Sequence, residues 1–312
     1  MSETTAAETA GAVPVVAPPK RRRTGLVIGL IAVVLVLVGG GIAAYALLRD
    51  DEIKIGVVGA SDPYWAVYTQ IAADAGIKIK IIDFSEYPLP NPALTEGEID
   101  INQFQHIVYL GDYIAKSGHE LTPLGSTAIY PLGLYSKTYD SAQAIPDGST
   151  VVVPDDPSNQ ARALLVLQSA GLIELKDGGS IFSTLADVDK TKSRVEVKAV
   201  AAAFTPTSLD DAAAAIINND FVEKAGLSFA DAIAKDDPSD ASALPYVNIF
   251  AVRPEDKDNP TYIKLIELFQ DSKAVTDGLQ AVSGGVATLA KVPQAELQAA
   301  LDKVVADTKA QG

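Results

Sequence analysis

A run of 25 residues without a charge, Thr24 to Leu48, constrains this 312-residue chain more than any other feature. As a helix rising 1.5 Å per residue it would extend about 37 Å, beyond the ~30 Å hydrocarbon core of a bilayer. The core of a globular domain seldom calls for so long an apolar stretch. Lys20-Arg21-Arg22-Arg23 stands directly before it, and a basic cluster holds its end of a span on the inner side. The sequence therefore predicts a disordered cytoplasmic tail over 1–23 and a single transmembrane anchor over 24–48. The rest of the chain is expected on the extracytoplasmic side of the cell membrane. Ala44-Tyr45-Ala46 also resembles a signal-peptide cleavage site, so a cleaved signal is the competing reading. The apolar core of such a signal is usually about 7–15 residues, much shorter than this run. Either reading exports residues 51–312.

Charge is unevenly divided. Residues 1–50 carry five Lys and Arg against three acids, leaving 20 Lys and Arg against 37 Asp and Glu in the other 262 residues. So acidic a body repels phosphate backbones, which argues against a nucleic-acid partner. The absence of Cys removes disulfides, a thiolate zinc site, a cysteine nucleophile and a thioether-linked lipid. With only His106 and His119, no metal centre is expected. There is no nucleophile elbow, phosphate-binding loop or dinucleotide fingerprint. Asp155-Asp156 is held in a turn by Pro154 and Pro157, where adjacent carboxylates point apart instead of flanking a scissile bond. No catalytic residue and no cofactor is expected.

Apolar patterning from residue 53 onward alternates strands with helices, the signature of parallel sheets joined by βαβ crossovers. Strands are expected at 53–58, 78–82, 99–101, 150–153, 195–197, 215–217 and 246–252. Helices are expected at 64–75, 91–98, 105–116, 159–170, 209–215, 262–269 and 294–308. The last has Leu297, Leu301, Val304 and Thr308 on one face. The fold class is α/β, with lobe 1 formed by 52–131 plus 246–312 and lobe 2 inserted as 132–245.

Several residues near predicted strand ends, where open α/β sheets bind ligands, admit two readings. Tyr87, Phe104, His106 and Tyr109 lie in the expected loops 83–91 and 102–109, and could pack a core or touch a ligand. Arg162 sits on an apolar helix among Ala161, Ala163, Leu164 and Leu165. Its guanidinium needs a partner, either a structural salt bridge or a ligand carboxylate near the helix N-terminus. Asn218, after Ile216-Ile217, and Asn248, within 246–252, could be satisfied buried amides or ligand contacts.

Three segments carry a resemblance: Ser85-Glu86-Tyr87-Pro88-Leu89-Pro90-Asn91, Asn102 to Leu110 (NQFQHIVYL), and Pro154 to Arg162 (PDDPSNQAR). With Tyr130-Pro131, Gly171 to Gly178, Ile216-Ile217-Asn218 and Pro245 to Asn248, they resemble, in order over residues 53–285, the NlpA/MetQ family of methionine-binding lipoproteins. That resemblance implies a type II periplasmic-binding-protein-like fold whose two lobes close on methionine, first of all the L form, and hand it to the permease and ATPase subunits of an ABC importer. It also implies roles: Tyr87, Phe104, His106 and Tyr109 around the thioether, Arg162 on the carboxylate, Asn218 and Asn248 on the amino-acid head group. Ile107-Val108 and Asn219-Asp220-Phe221 depart from the family pattern, as does the missing lipidation cysteine, for which the N-terminal span would substitute. About 25 residues, 287–312, run past the usual family end and are expected to add an amphipathic helix. An enzyme acting on an amino acid on the same scaffold is the alternative reading, and a sensing or adhesive surface protein a third.

Overall fold

The computed structural model describes residues 52–311; the tail and apolar run expected at 1–23 and 24–48 lie outside them. Among the described residues no helix is long and apolar enough to cross a membrane. The chain opens with β1 (Ile53–Val57), α1 (Pro63–Asp74), β2 (Ile79–Asp83), α2 (Pro90–Thr95) and β3 (Ile101–His106). Proline opens both helices, where its missing N–H leaves no hydrogen bond unmade. After β3 come α3 (Ile107–Ser117), β4 (Thr122–Ser126) and β5 (Ala128–Ile129). Gly118 ends α3 at φ 74°, a left-handed position that glycine takes without strain.

A second series follows: β6 (Gly133–Tyr135), β7 (Thr150–Pro154), α4 (Pro157–Ser169), β8 (Glu196–Val200), β9 (Ala214–Ile217), α5 (Asn219–Val222) and β10 (Ala234–Lys235). The chain closes with β11 (Asn248–Val252), α6 (Pro260–Asp271), α7 (Lys273–Val282), β12 (Thr288–Leu289) and α8 (Gln294–Gln311). These strands build two five-stranded mixed sheets, ordered β2-β1-β3-β11-β4 and β10-β6-β9-β7-β8, with β12 paired to β5. β1 runs parallel to β2 and β3, and β11 antiparallel to both β3 and β4. In the second sheet β7 is parallel to β8 and β9. The chain passes between the sheets twice, through 130–132 and through 236–247.

Alternation along each strand divides the packing. In the first sheet Phe250 and Val252 face α1, α6 and α7, whereas Ile249 and Ala251 face α3 and α8. Aromatic rings dominate the first layer. Phe269 lies edge-on to Tyr68 at 5.2 Å and to Phe250 at 5.1 Å, the geometry that ring quadrupoles favour. In the second sheet Val151, Val153 and Ile216 pack against α4. The opposite face, Val152, Ala215 and Ile217, joins Tyr87, Phe104 and Phe221. Thus the second sheet presents apolar side chains toward loops of the first.

Three expectations need correction. The loop expected over 102–109 is strand to His106 and helix from Ile107. The polar run Asn102-Gln103-Phe104-Gln105 is buried because its amides bond one another: Asn102 Nδ2 donates to Asn91 Oδ1 at 2.9 Å, and Gln105 Nε2 to the same oxygen at 2.6 Å. The helix expected at 209–215 is a short turn, Thr207–Asp210, followed by β9. Ala214 and Ala215 pair with Val151 and Val152, so sheet burial overrides alanine's helix preference. Helix α7 was not expected at all. At the C-terminus α8 buries Leu297, Leu301 and Val304 beside Gly111 of α3, where a Cβ would overlap Val304.

Candidate functional site

A cleft opens where loops and strand ends of the first sheet meet the apolar face of the second. Its cavity volume is only about 20 Å³, room for little more than one ordered water, so the side chains around it stand close together. Tyr87, Phe104, His106, Tyr109, Arg162, Asn218 and Asn248 all line it. Each arrives for a local reason. Tyr87 comes from the turn before α2. Along the β3–β11 ladder Gln105 faces Ile249 and Gln103 faces Phe250, so Phe104 is the extra residue of a β-bulge, a device that re-aims a side chain. His106 is the N-cap of α3, and Tyr109 lies in its first turn. Arg162 sits in the second turn of α4, Asn218 stands directly before α5 without capping it through its side chain, and Asn248 begins β11.

The rings form one wall. Tyr87 lies 5.9 Å from Phe104, 6.0 Å from Tyr109 and 5.2 Å from Phe221, and Phe104 lies 5.6 Å from Tyr109. The Tyr87 hydroxyl donates to Asp220 Oδ2 at 2.8 Å, joining the loop before α2 to α5 across the cleft. Burial pushes the Asp220 carboxyl up to about 7, against the pull of that hydrogen bond.

The polar wall is a connected network with one open acceptor. His106 Nδ1 accepts from the Tyr109 backbone N–H at 3.1 Å, so in the neutral ring the proton is on Nε2, 3.3 Å from Asn159 Oδ1. Burial and then the Arg162 charge drive the imidazole down to about 3. The ring is therefore neutral at physiological pH, with both nitrogens engaged, and is no poised general base. Asn159 donates through Nδ2 to both Asp156 oxygens, at 3.0 and 3.1 Å, and its Oδ1 also accepts from Asn218 Nδ2 at 2.9 Å. That fixes the Asn218 amide with Oδ1 left over, buried and without a hydrogen-bond partner. An orphaned buried acceptor is costly, and this one borders the cleft.

Arg162 is the sole side chain with a formal charge among the residues lining the cleft. Its Nε donates to Asp236 Oδ2 at 2.6 Å and its Nη2 to the Tyr130 carbonyl at 2.8 Å. The guanidinium carbon stands 4.3 Å from the Tyr246 ring centroid. Arg162 is thus both salt-bridged and at the cleft, and its Nη1 hydrogens make no hydrogen bond among the described residues. Sequence reasoning passed over Asn159, Asp236 and Tyr246. Asn159 could have been found as an amide inside an apolar helix, three residues after the capping Asp156; nothing local marks Asp236. Asp155 and Asp156 diverge as expected: Asp156 caps α4 through the Asn159 N–H at 2.9 Å, while Asp155 is exposed. Among the described residues no cluster of His, Asp or Glu could hold a metal ion.

Comparison with known proteins agrees in extent with this architecture. A family model described as NlpA lipoprotein matches residues 53–288. The D-methionine-binding lipoprotein MetQ of Escherichia coli K12 is 36% identical over 255 residues, covering 79% of this chain and 93% of that protein. Among solved structures, protein PG110 of Staphylococcus aureus superposes with a TM-score of 0.77 at 35% identity, over 81% of this chain and 99% of the other. A nutrient-binding protein from Burkholderia cenocepacia, solved bound to methionine, gives 0.71 at 36% identity, over 76% and 99%.

Proposed function

The chain belongs to the NlpA lipoprotein family, and from that premise we propose that it is an extracytoplasmic solute-binding protein that captures methionine and delivers it to the permease and ATPase subunits of an ABC importer. One observation carries this reading: Arg162, the one formally charged side chain among the described residues lining the cleft, shares that lining with an orphaned amide oxygen, Asn218 Oδ1, and with a cluster of rings. A zwitterion leaving water needs partners for both of its charges. The carboxylate pairs with the free Nη1 edge of Arg162, and the ammonium donates to Asn218 Oδ1, with Asn248 beside them. The thioether rests among Tyr87, Phe104 and Tyr109, where each sulfur–ring contact contributes about 0.3–1.5 kcal/mol.

His106 serves as a fixed wall and as the cap of α3 rather than as a base; on the family reading the ligand is released unchanged, and the protein is a binding protein and not an enzyme. The two sheets belong to two lobes, 52–131 with 246–312 and 132–245, in a type II binding-protein arrangement that closes by bending at the two passages between them. The body is held at the extracytoplasmic side of the membrane; the anchor expected at 24–48 lies outside the described residues. Calorimetric titration of the chain with the twenty amino acids and D-methionine tests the function. Saturable methionine binding below millimolar, with the ligand recovered intact, is the expected result. No binding of either enantiomer, or chemical conversion of the ligand, refutes it.

A further inference from the structure

The setting of Arg162 holds more than a ligand partner. Asp236 follows β10, where the chain turns back toward the first sheet. Its Oδ2 accepts from Arg162 Nε at 2.6 Å, and its Oδ1 accepts the Leu132 backbone N–H at 2.8 Å. Arg162 Nη2 in turn donates to the Tyr130 carbonyl, and the guanidinium plane stacks on Tyr246. Tyr130 and Leu132 lie in one passage between the sheets, Asp236 and Tyr246 in the other. Two of the three nitrogens of the fork are thereby fixed on protein acceptors, and the carboxylate ion-paired with the fork among the described residues is Asp236. A guanidinium in this position without its carboxylate would present a net positive charge to whatever occupies the cleft.

We propose that Asp236 is a positioning and specificity-determining residue: it holds Arg162 so that a single edge of the fork meets the ligand, and it cancels the fork's charge so that the site accepts a zwitterion in preference to a monoanion. This rests on the reading of the cleft as a methionine site. A ligand carboxylate gains two directed hydrogen bonds, one from Nη1 and one from the second Nη2 hydrogen that the Tyr130 carbonyl does not take. It gains little long-range attraction, because the Arg162–Asp236 pair is close to neutral when seen from the cleft. An anion without an ammonium therefore leaves Asn218 Oδ1 unsatisfied and finds no excess positive field in return. Asp220, the nearest carboxylate on the aromatic side, is capped by the Tyr87 hydroxyl and sits with Asp62 in an adjoining hollow, so it adds no attraction for anions.

The test compares two ligands with one side chain and different head groups: methionine, of net charge zero, and 4-(methylthio)butanoate, the same skeleton without its ammonium. Full-length protein and its Asp236→Asn variant are titrated with both. Asparagine keeps an acceptor for the Leu132 N–H but removes the charge. The preference for methionine over the butanoate is expected to fall at least about tenfold in Asp236→Asn, the size of one unit charge removed at roughly 10 Å in a medium of effective dielectric near 20. Because the quantity is a ratio within one protein, a reduced folded fraction does not move it, and a purely structural role predicts no change. Asp236→Ser, tolerable because the Asp236 side chain is 28% exposed and open to water, should give the same shift, and Asp236→Glu should restore the native ratio. An unchanged ratio in both uncharged variants, with wild-type protein still binding methionine, overturns this inference alone. Failure of wild-type protein to bind methionine overturns the underlying reading instead.

Discussion

Replacing Arg162 by alanine separates the two roles that this residue combines. The substitution removes the 2.6 Å bond to Asp236, the 2.8 Å bond to the Tyr130 carbonyl and the stacking on Tyr246. Breaking a buried ion pair costs about 3–5 kcal/mol. Asp236 is partly exposed and can rehydrate, so the lower end applies, near 3 kcal/mol including the lost ring contact. At about 2–4 °C per kcal/mol for a body of this size, the melting temperature should drop roughly 6–12 °C. Binding should suffer separately. A charge-assisted, two-pronged contact to a carboxylate is worth about 3–4 kcal/mol once the ammonium's partner is left alone, a loss of roughly 100- to 1,000-fold in affinity. Arg162→Lys keeps the charge but cannot serve Asp236, Tyr130 and the ligand together, and should fall between. Differential scanning fluorimetry and calorimetry on both variants read the two effects. If Arg162→Ala melts lower but binds methionine within about threefold of wild type, the arginine is a structural strut and the reasoning from cleft geometry to ligand fails.

Three further outcomes follow from individual contacts. Tyr246→Phe keeps the ring beneath Arg162 while deleting a hydroxyl that is buried without a partner; stability should hold or rise by about 1 kcal/mol in thermal melts, whereas Tyr246→Leu should lower it. Burial raises Asp62 to about 6 and Asp220 to about 7 from an ordinary 3.8, so the folded state holds more protons than the unfolded one, and their contribution to stability is lost as pH rises from about 4 to about 7. His106, lowered to about 3, works oppositely, losing stability as pH falls below about 6.5. Asp220→Asn should accordingly gain melting temperature relative to wild type at pH 8 and much less at pH 5, since the histidine contribution cancels in the difference; equal shifts at both pH values would count against a raised Asp220. Gly111→Ala should destabilise by about 1–3 kcal/mol through overpacking on Val304. Adding Val304→Ala should recover part of that in a double-mutant cycle read by urea melts, and purely additive losses would show that α8 does not dock there.

Alternating strands and helices were legible because each sheet has a parallel half built through helical crossovers and most of its strands are apolar runs bounded by glycine, proline or caps. The extent of β3 was not. Its Asn102 and Gln105 are buried against Asn91 of α2, and because those hydrogen bonds exist only once helix and strand have packed, the polar run reads as loop in the sequence. The helix Lys273–Val282 did leave a trace, with Val275 and Leu279 four apart and Ser272 capping the Val275 N–H. Its weak apolar content hid it between two stronger elements. At the site, aromatics and amides were visible as residue types out of place for their surroundings. What sequence could not supply is which amide atom stays unpaired and which carboxylate holds the arginine. Asn159 decides the first, lying 59 residues from Asn218, and Asp236, lying 74 residues from Arg162, decides the second.

A crystal structure of residues 52–311 grown with methionine measures the decisive geometry. The account predicts the carboxylate against the Nη1 edge of Arg162, the ammonium on Asn218 Oδ1, and sulfur among Tyr87, Phe104 and Tyr109, with the Arg162–Asp236 pair intact. Methionine bound with its carboxylate away from Arg162, or with its side chain outside that ring of aromatics, would contradict it.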